Sequence, residues 1–122
     1  MDIKQGEDKV VNISITSESG SIQDMTTATA ILVVLSVNDQ PVKNYELGSD
    51  ESGAVGKCMI DADNNGNVQV LVRKAHSEKF PLGILKANVA YEIPDTLLGT
   101  KRTEFNAVIG AVKSGYTKDY VN

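Results

Sequence analysis

Residues 28–37 read ATAILVVLSV, and the reading of this run decides the fold. It is rich in β-branched residues and apolar on both faces, with Thr29 and Ser36 the only polar interruptions. A membrane-crossing helix needs about 20 apolar residues, roughly twice this length. A short, two-sided apolar run bounded by turn residues predicts a central strand covered on both sides, in preference to a buried helix. Asn38-Asp39-Gln40-Pro41 supplies the stop.

Outward from that strand the period is two. Val11, Ile13 and Ile15 alternate with Asn12 and Ser14, which places the apolar set on one face. Residues 17–20 then read as a turn. Residues 42–47 predict a short edge strand, because Pro41 has no N–H to give to a ladder. Residues 48–53 form a polar loop, and residues 54–74 hold two strands around DADNNGNV at 61–68. Residues 84–93 alternate Ala87, Val89, Tyr91 and Ile93 against Lys86, Asn88 and Glu92. Residues 102–112 form a last long strand with Thr103, Phe105, Ala107, Ile109 and Ala111 on one face.

Seven or eight strands with no convincing helical stretch predict an all-β antiparallel sandwich. With two Phe and no Trp its core is aliphatic, and Tyr91 and Phe105 are the expected aromatic members. A chain of 122 residues is of ordinary size for one domain. A single domain over residues 1–122 is expected, with residues 113–122 a polar C-terminal tail.

The net charge of −4 argues against a nucleic-acid partner, since that affinity comes largely from Lys and Arg displacing counterions. Arg73-Lys74 and Lys101-Arg102 are short basic pairs that read as solvated. No apolar leader of the secretory kind stands at Met1–Asp8, and no membrane partner is expected. Cys58 is the only cysteine, which excludes an intrachain disulfide and any multi-thiolate metal site.

The stretch at 61–68 is the one that resembles a site. Asp61, Asp63, Asn65 and Gly66 match the first positions of a twelve-residue calcium loop, but the closing acid is missing: position twelve is Val72 and the next acid is Glu78. A hairpin turn accounts for the same residues, Asn65-Gly66 supplying positive φ angles. A two-residue loop would set Asp61 against Val70. A five-residue loop pairing Ile60 with Val70 and Cys58 with Val72 matches apolar with apolar and is preferred. It leaves Asp61 and Asp63 exposed and turns Cys58 inward as a small hydrophobe.

His76 is the only histidine. Paired with Cys58 it could activate a thiolate, but no motif surrounds it, and it reads as a surface residue between Lys74 and Glu78. Ser14, Ser17, Ser19 and Ser21 lack a nucleophile elbow. Sugar stacking would fall to Tyr45, Tyr91, Tyr116 and Tyr120, of which Tyr91 is expected in the core. No catalytic, metal or cofactor residue is assigned, and no enzymatic activity, cofactor or small-molecule substrate is expected.

One likeness spans most of the chain in element order. Lys4-Gln5-Gly6-Glu7-Asp8, then an alternating strand, a Ser-Gly turn and Asp24-Met25-Thr26-Thr27-Ala28 before an apolar strand, resembles the N-terminal immunoglobulin-like domain of phage baseplate upper proteins and related tail or fibre modules. Met25 stands where that family has Leu, and Thr27 where it has Gly. Later, Gly66-Asn67-Val68-Gln69-Val70 and Phe80-Pro81-Leu82-Gly83, with the strand ending Val89-Ala90-Tyr91-Glu92-Ile93 and a polar hairpin after it, are similar in order. The resemblance implies an immunoglobulin-like sandwich of about seven to eight strands with a structural role in a phage or prophage virion. It would dock onto other virion structural proteins, assemble as a homo-oligomer and be put together in the host cytoplasm. The alternative is a bacterial cell-surface module of the adhesin or carbohydrate-binding type, which shares this architecture.

Overall fold

Eight strands, one helical turn and a short 3-10 turn (Ala62–Asn64) are the regular elements of the computed structural model, which describes residues 1–64 and 66–115. They are β1 (Asp2–Lys4), β2 (Lys9–Ile13), β3 (Ala30–Val37), β4 (Gln40–Leu47), β5 (Gly56–Asp61), β6 (Asn67–Val72), α1 (Lys74–Ser77), β7 (Gly83–Asp95) and β8 (Gly99–Lys113). The 28–37 run becomes β3 because its alternate residues Ile31, Val33, Leu35 and Val37 can all be buried on one side. Leu32, Val34 and Ser36 on the other side are half-buried.

The strands form one mixed sheet in the order β1-β8-β7-β3-β4-β5-β6-β2, nearly closed into a barrel. The all-β class therefore stands, while the hydrogen bonding draws a single curled sheet where the sequence suggested two antiparallel ones. Two pairings are parallel, β1 with β8 and β4 with β5. Local alternation tells which face of a strand is buried but not which strand lies beside it, so neither pairing was visible in the pattern. The β4/β5 seam runs only from Tyr45–Leu47 against Gly56–Cys58. On either side of it, β1-β8-β7-β3-β4 and β5-β6-β2 turn their inner faces onto one aliphatic core that includes Val11, Val33, Leu35, Val70, Leu85 and Val89. Each such side chain contributes about 1.5–3 kcal/mol through its burial.

The two ends of the barrel are closed differently. At one end Met25, fully buried, plugs the core from a turn in which the Asp24 carboxylate accepts from Thr26 N–H (2.9 Å) and Thr26 Oγ1 (2.6 Å). At the other, α1 is tied to the β1–β2 turn: Lys74 N–H donates to Asp8 Oδ1 (2.7 Å), Ser77 Oγ to the Glu7 carbonyl (2.8 Å) and Gln5 Nε2 to the Phe80 carbonyl (2.8 Å). Residues 5–8 and 24–26 thus act locally as end closures.

Several expectations are corrected. β4 lies between β3 and β5 and is not an edge strand, although Pro41 falls in the part of it that pairs with β3 alone. The core aromatics are Tyr45, Phe80 and Tyr91, whereas Phe105 is only half-buried. A bulge in β8 opposite Leu85/Lys86 reverses its pattern, so that Ala111 faces out with exposed Ile84, and Val112 is buried. Lys113, placed in the tail by sequence, is the last residue of β8 and its carbonyl accepts from Gln5 N–H (2.9 Å). Tyr116 and Tyr120 lie outside the described residues.

Candidate functional site

The 61–68 stretch builds a turn. β5 pairs with β6 as Cys58 with Val70 and Ile60 with Val68, two residues away from the expected register but with the same face inward. Parity is fixed by burial, whereas the shift by two is fixed by how the loop folds. Asp61 organises that loop: Oδ1 accepts from Asp63 N–H (3.1 Å), Oδ2 from Asn64 Nδ2 (2.7 Å), and its carbonyl from Gly66 N–H (3.0 Å). Both carboxylate oxygens serve the turn, and Asp61 is half-buried while Asp63 is exposed. Gly66 has φ +73°, and a Cβ there would stand 2.8 Å from the main-chain nitrogens of Met25 and Thr26. Only glycine lets this loop lie against the Met25 closure. Among the described residues no group of His, Cys, Asp and Glu is arranged to hold a metal ion; Asn65 is outside them.

His76 does not meet Cys58. Cys58 is fully buried, with its sulfur 3.9 Å from the Ile31 carbonyl, and burial pushes its thiol up to about 12. His76 is half-buried and braces Tyr45 instead. Its Nδ1 lies 3.2 Å from Arg73 N–H and 3.1 Å from Tyr45 Oη. A backbone N–H can only donate, so Nδ1 is an acceptor, the phenol donates to it, and the ring proton sits on Nε2. His76 here fills the third-position role that Glu or Gln takes in a capping box, closing back on the residue before the helix.

Burial, and after it the Lys43 charge, hold His76 below its ordinary pKa. Burial, and after it the Glu51 charge, push the Tyr45 phenol above its usual range. Glu51 in turn receives both Nε and Nη2 of Arg73 at 2.9 and 2.8 Å, which keeps its carboxyl below the usual range. Gly56 underlies the ring of Tyr45, where a Cβ would come within 2.5 Å of it. A cleft of about 630 Å³ opens beside this brace, bordered by Pro41, Lys43, His76, Lys79 and Phe80. With Nδ1 already taken by two donors and a proton on Nε2, the imidazole holds structure together in this position.

The third feature is the β7–β8 hairpin, which the sequence presented as merely polar. β3 begins at Ala30, opposite Glu92, so among the described residues the two long strands pair only with each other from Ile93 to Lys101. At the tip the Asp95 carboxylate accepts from Leu97 and Leu98 N–H at 2.8 and 2.9 Å, which hold its pKa below the usual range. The turn so fixed presents Leu97 and Leu98 at 93% and 71% exposure. Val108, farther along β8, is 70% exposed on the outer face. Two adjacent leucines inside an Asp-Thr-Leu-Leu-Gly turn were the sequence signal for this, since such turns are ordinarily polar. Of the four tyrosines considered for sugar stacking, the two among the described residues, Tyr45 and Tyr91, are both buried.

Comparison with known protein families, with curated proteins and with solved structures found no match for this chain.

Proposed function

We propose that the chain is a non-enzymatic docking module of a phage or prophage virion, acting through protein–protein contacts. The observation that carries the docking part is the projecting β7–β8 hairpin, stiffened by Asp95 and tipped with exposed Leu97 and Leu98. Adjacent exposed leucines on a fixed turn offer a partner apolar surface at little ordering cost. The virion setting comes from the resemblance of residues 4–8 and 24–28 to phage baseplate modules.

The test is to induce particles from a host carrying the sequence, purify them, and probe them with an antibody raised to the chain. The expected result is the chain in the particle fraction, with incorporation reduced at least tenfold in a Leu97→Ser/Leu98→Ser variant. Recovery of the chain only from the cell envelope would overturn the virion reading in favour of a surface module. Undiminished incorporation of the double variant would overturn the docking role of the tip.

A further inference from the structure

Among the described residues, β8 is paired along one side only over most of its length. β1 covers it from Ala111 to Lys113, and the Met1 ammonium reaches the Ile109 carbonyl at 3.1 Å. N-terminal to that point, among the described residues, nothing but β7 bonds to it. Which main-chain groups are open follows from β7. At the two ends of its contact with β3, Asn38 N–H donates to the Ile84 carbonyl (3.0 Å) and Thr29 N–H to the Glu92 carbonyl (2.9 Å). Even-numbered residues of β7 therefore face β3 and odd-numbered ones face β8. Opposite them, Thr103, Phe105 and Ala107 of β8 bond to β7, while Thr100, Arg102, Glu104 and Asn106 point their N–H and C=O groups away from the sheet.

We infer that this open edge pairs with the same edge of a second copy, antiparallel across a two-fold axis at Thr103. The inference deepens the docking reading above and rests on it, naming the surface and the partner. The side chains select the register. With Thr103 opposite Thr103 of the other copy, Arg102 faces Glu104 and Glu104 faces Arg102, so opposite charges meet twice on the outer face. Thr100 falls opposite Asn106, and the exposed Leu98 end of one hairpin comes beside the exposed Val108 of the other.

Moving the axis to Arg102 or to Glu104 sets two like charges directly opposite, which is destabilising in a sheet. Edge charges that repel their own copy are a common defence against such pairing. Here the order Arg-Thr-Glu makes the edge complementary to itself. Among the described residues of its own chain, Arg102 has only Glu92, at 3.9 Å and solvent-exposed. An isologous pair of this kind closes on itself and extends one barrel's sheet into the next.

Sedimentation of the whole chain tests the proposal. The wild type is expected at twice the 13.1 kDa mass of one chain. Arg102→Glu and Glu104→Arg each place like charges across the axis and are expected to give the one-chain mass. An equimolar mixture of the two variants pairs opposite charges again and returns to the two-chain mass, as does the double exchange R102E/E104R. That recovery also shows that both single variants are folded. A wild type that stays at the one-chain mass at millimolar protein, a two-chain species indifferent to either substitution, or variants that fail to recombine would each overturn the pairing. Sedimentation reads the pairing without any virion, and the charge variants leave Leu97 and Leu98 in place for the docking role, so either idea can fail without the other.

Discussion

Leu35 and Leu97 are the same side chain in opposite situations. Leu35 sits at the centre of β3 with no exposure, while Leu97 stands 93% exposed at the end of the β7–β8 hairpin. The barrel end of the molecule uses its apolar residues to hold the sheet curled. The hairpin end leaves them outside, on strands that pair only with each other beyond Glu92. The difference separates residues that stabilise this chain from residues that are available to something else.

The sharpest break of that comparison is a pair of alanine substitutions. Leu35→Ala is expected to destabilise the fold by about 2–5 kcal/mol, through lost burial and the cavity left behind. Leu97→Ala should change stability by no more than about 0.5 kcal/mol. Urea unfolding of both variants measures this, and similar losses would mean that the hairpin tip belongs to the core after all.

Next in size comes the brace at the α1 end. Tyr45→Phe removes the phenol donor from His76 Nδ1 while Arg73 N–H still satisfies that nitrogen, so a loss of about 1 kcal/mol is expected in the same assay. Smaller still is a pH effect. His76 titrates below its ordinary 6.5 when folded and near it when unfolded. Between those values the unfolded chain binds more protons, so stability rises with pH there. The brace is at full strength above about pH 6.5 and is lost as pH falls through the folded value. Asp24 and Glu51, whose pKa values are also lowered, add a separate loss at more acidic pH, below about 4.5. A midpoint of urea unfolding that drops between pH 7 and 5 in the wild type, and stays level in His76→Gln, is the expected result.

How far this comparison could be read in the sequence depended on the range of the interactions involved. The strands at 30–37, 56–61, 67–72 and 84–93 were legible because a period of two reports directly on burial. The direction of Cys58 was legible for the same reason. What failed was non-local. The register of β5 against β6 moved by two residues, because Asp61 closes its loop through bonds that parity does not constrain. The parallel seams could not be seen, since each joins strands whose local patterns are unchanged by the neighbour chosen. His76 passed for a surface residue because Tyr45, its partner, is 31 positions away. Leu97 and Leu98 stand in plain view in the sequence, but a hairpin tip is ordinarily polar, and nothing local marks these two as exposed.

From Thr100 to Asn106, β8 has one side bonded to β7 and, among the described residues, one open side, and amide hydrogen exchange resolved residue by residue distinguishes the two. In dilute protein the amides of Thr103 and Phe105 are expected to be protected and those of Arg102, Glu104 and Asn106 to exchange quickly. Raising the concentration should protect the second set and leave the first unchanged. Protection that is uniform along residues 102–106 in dilute protein, or that ignores concentration, would mean that this edge does not open onto a second copy.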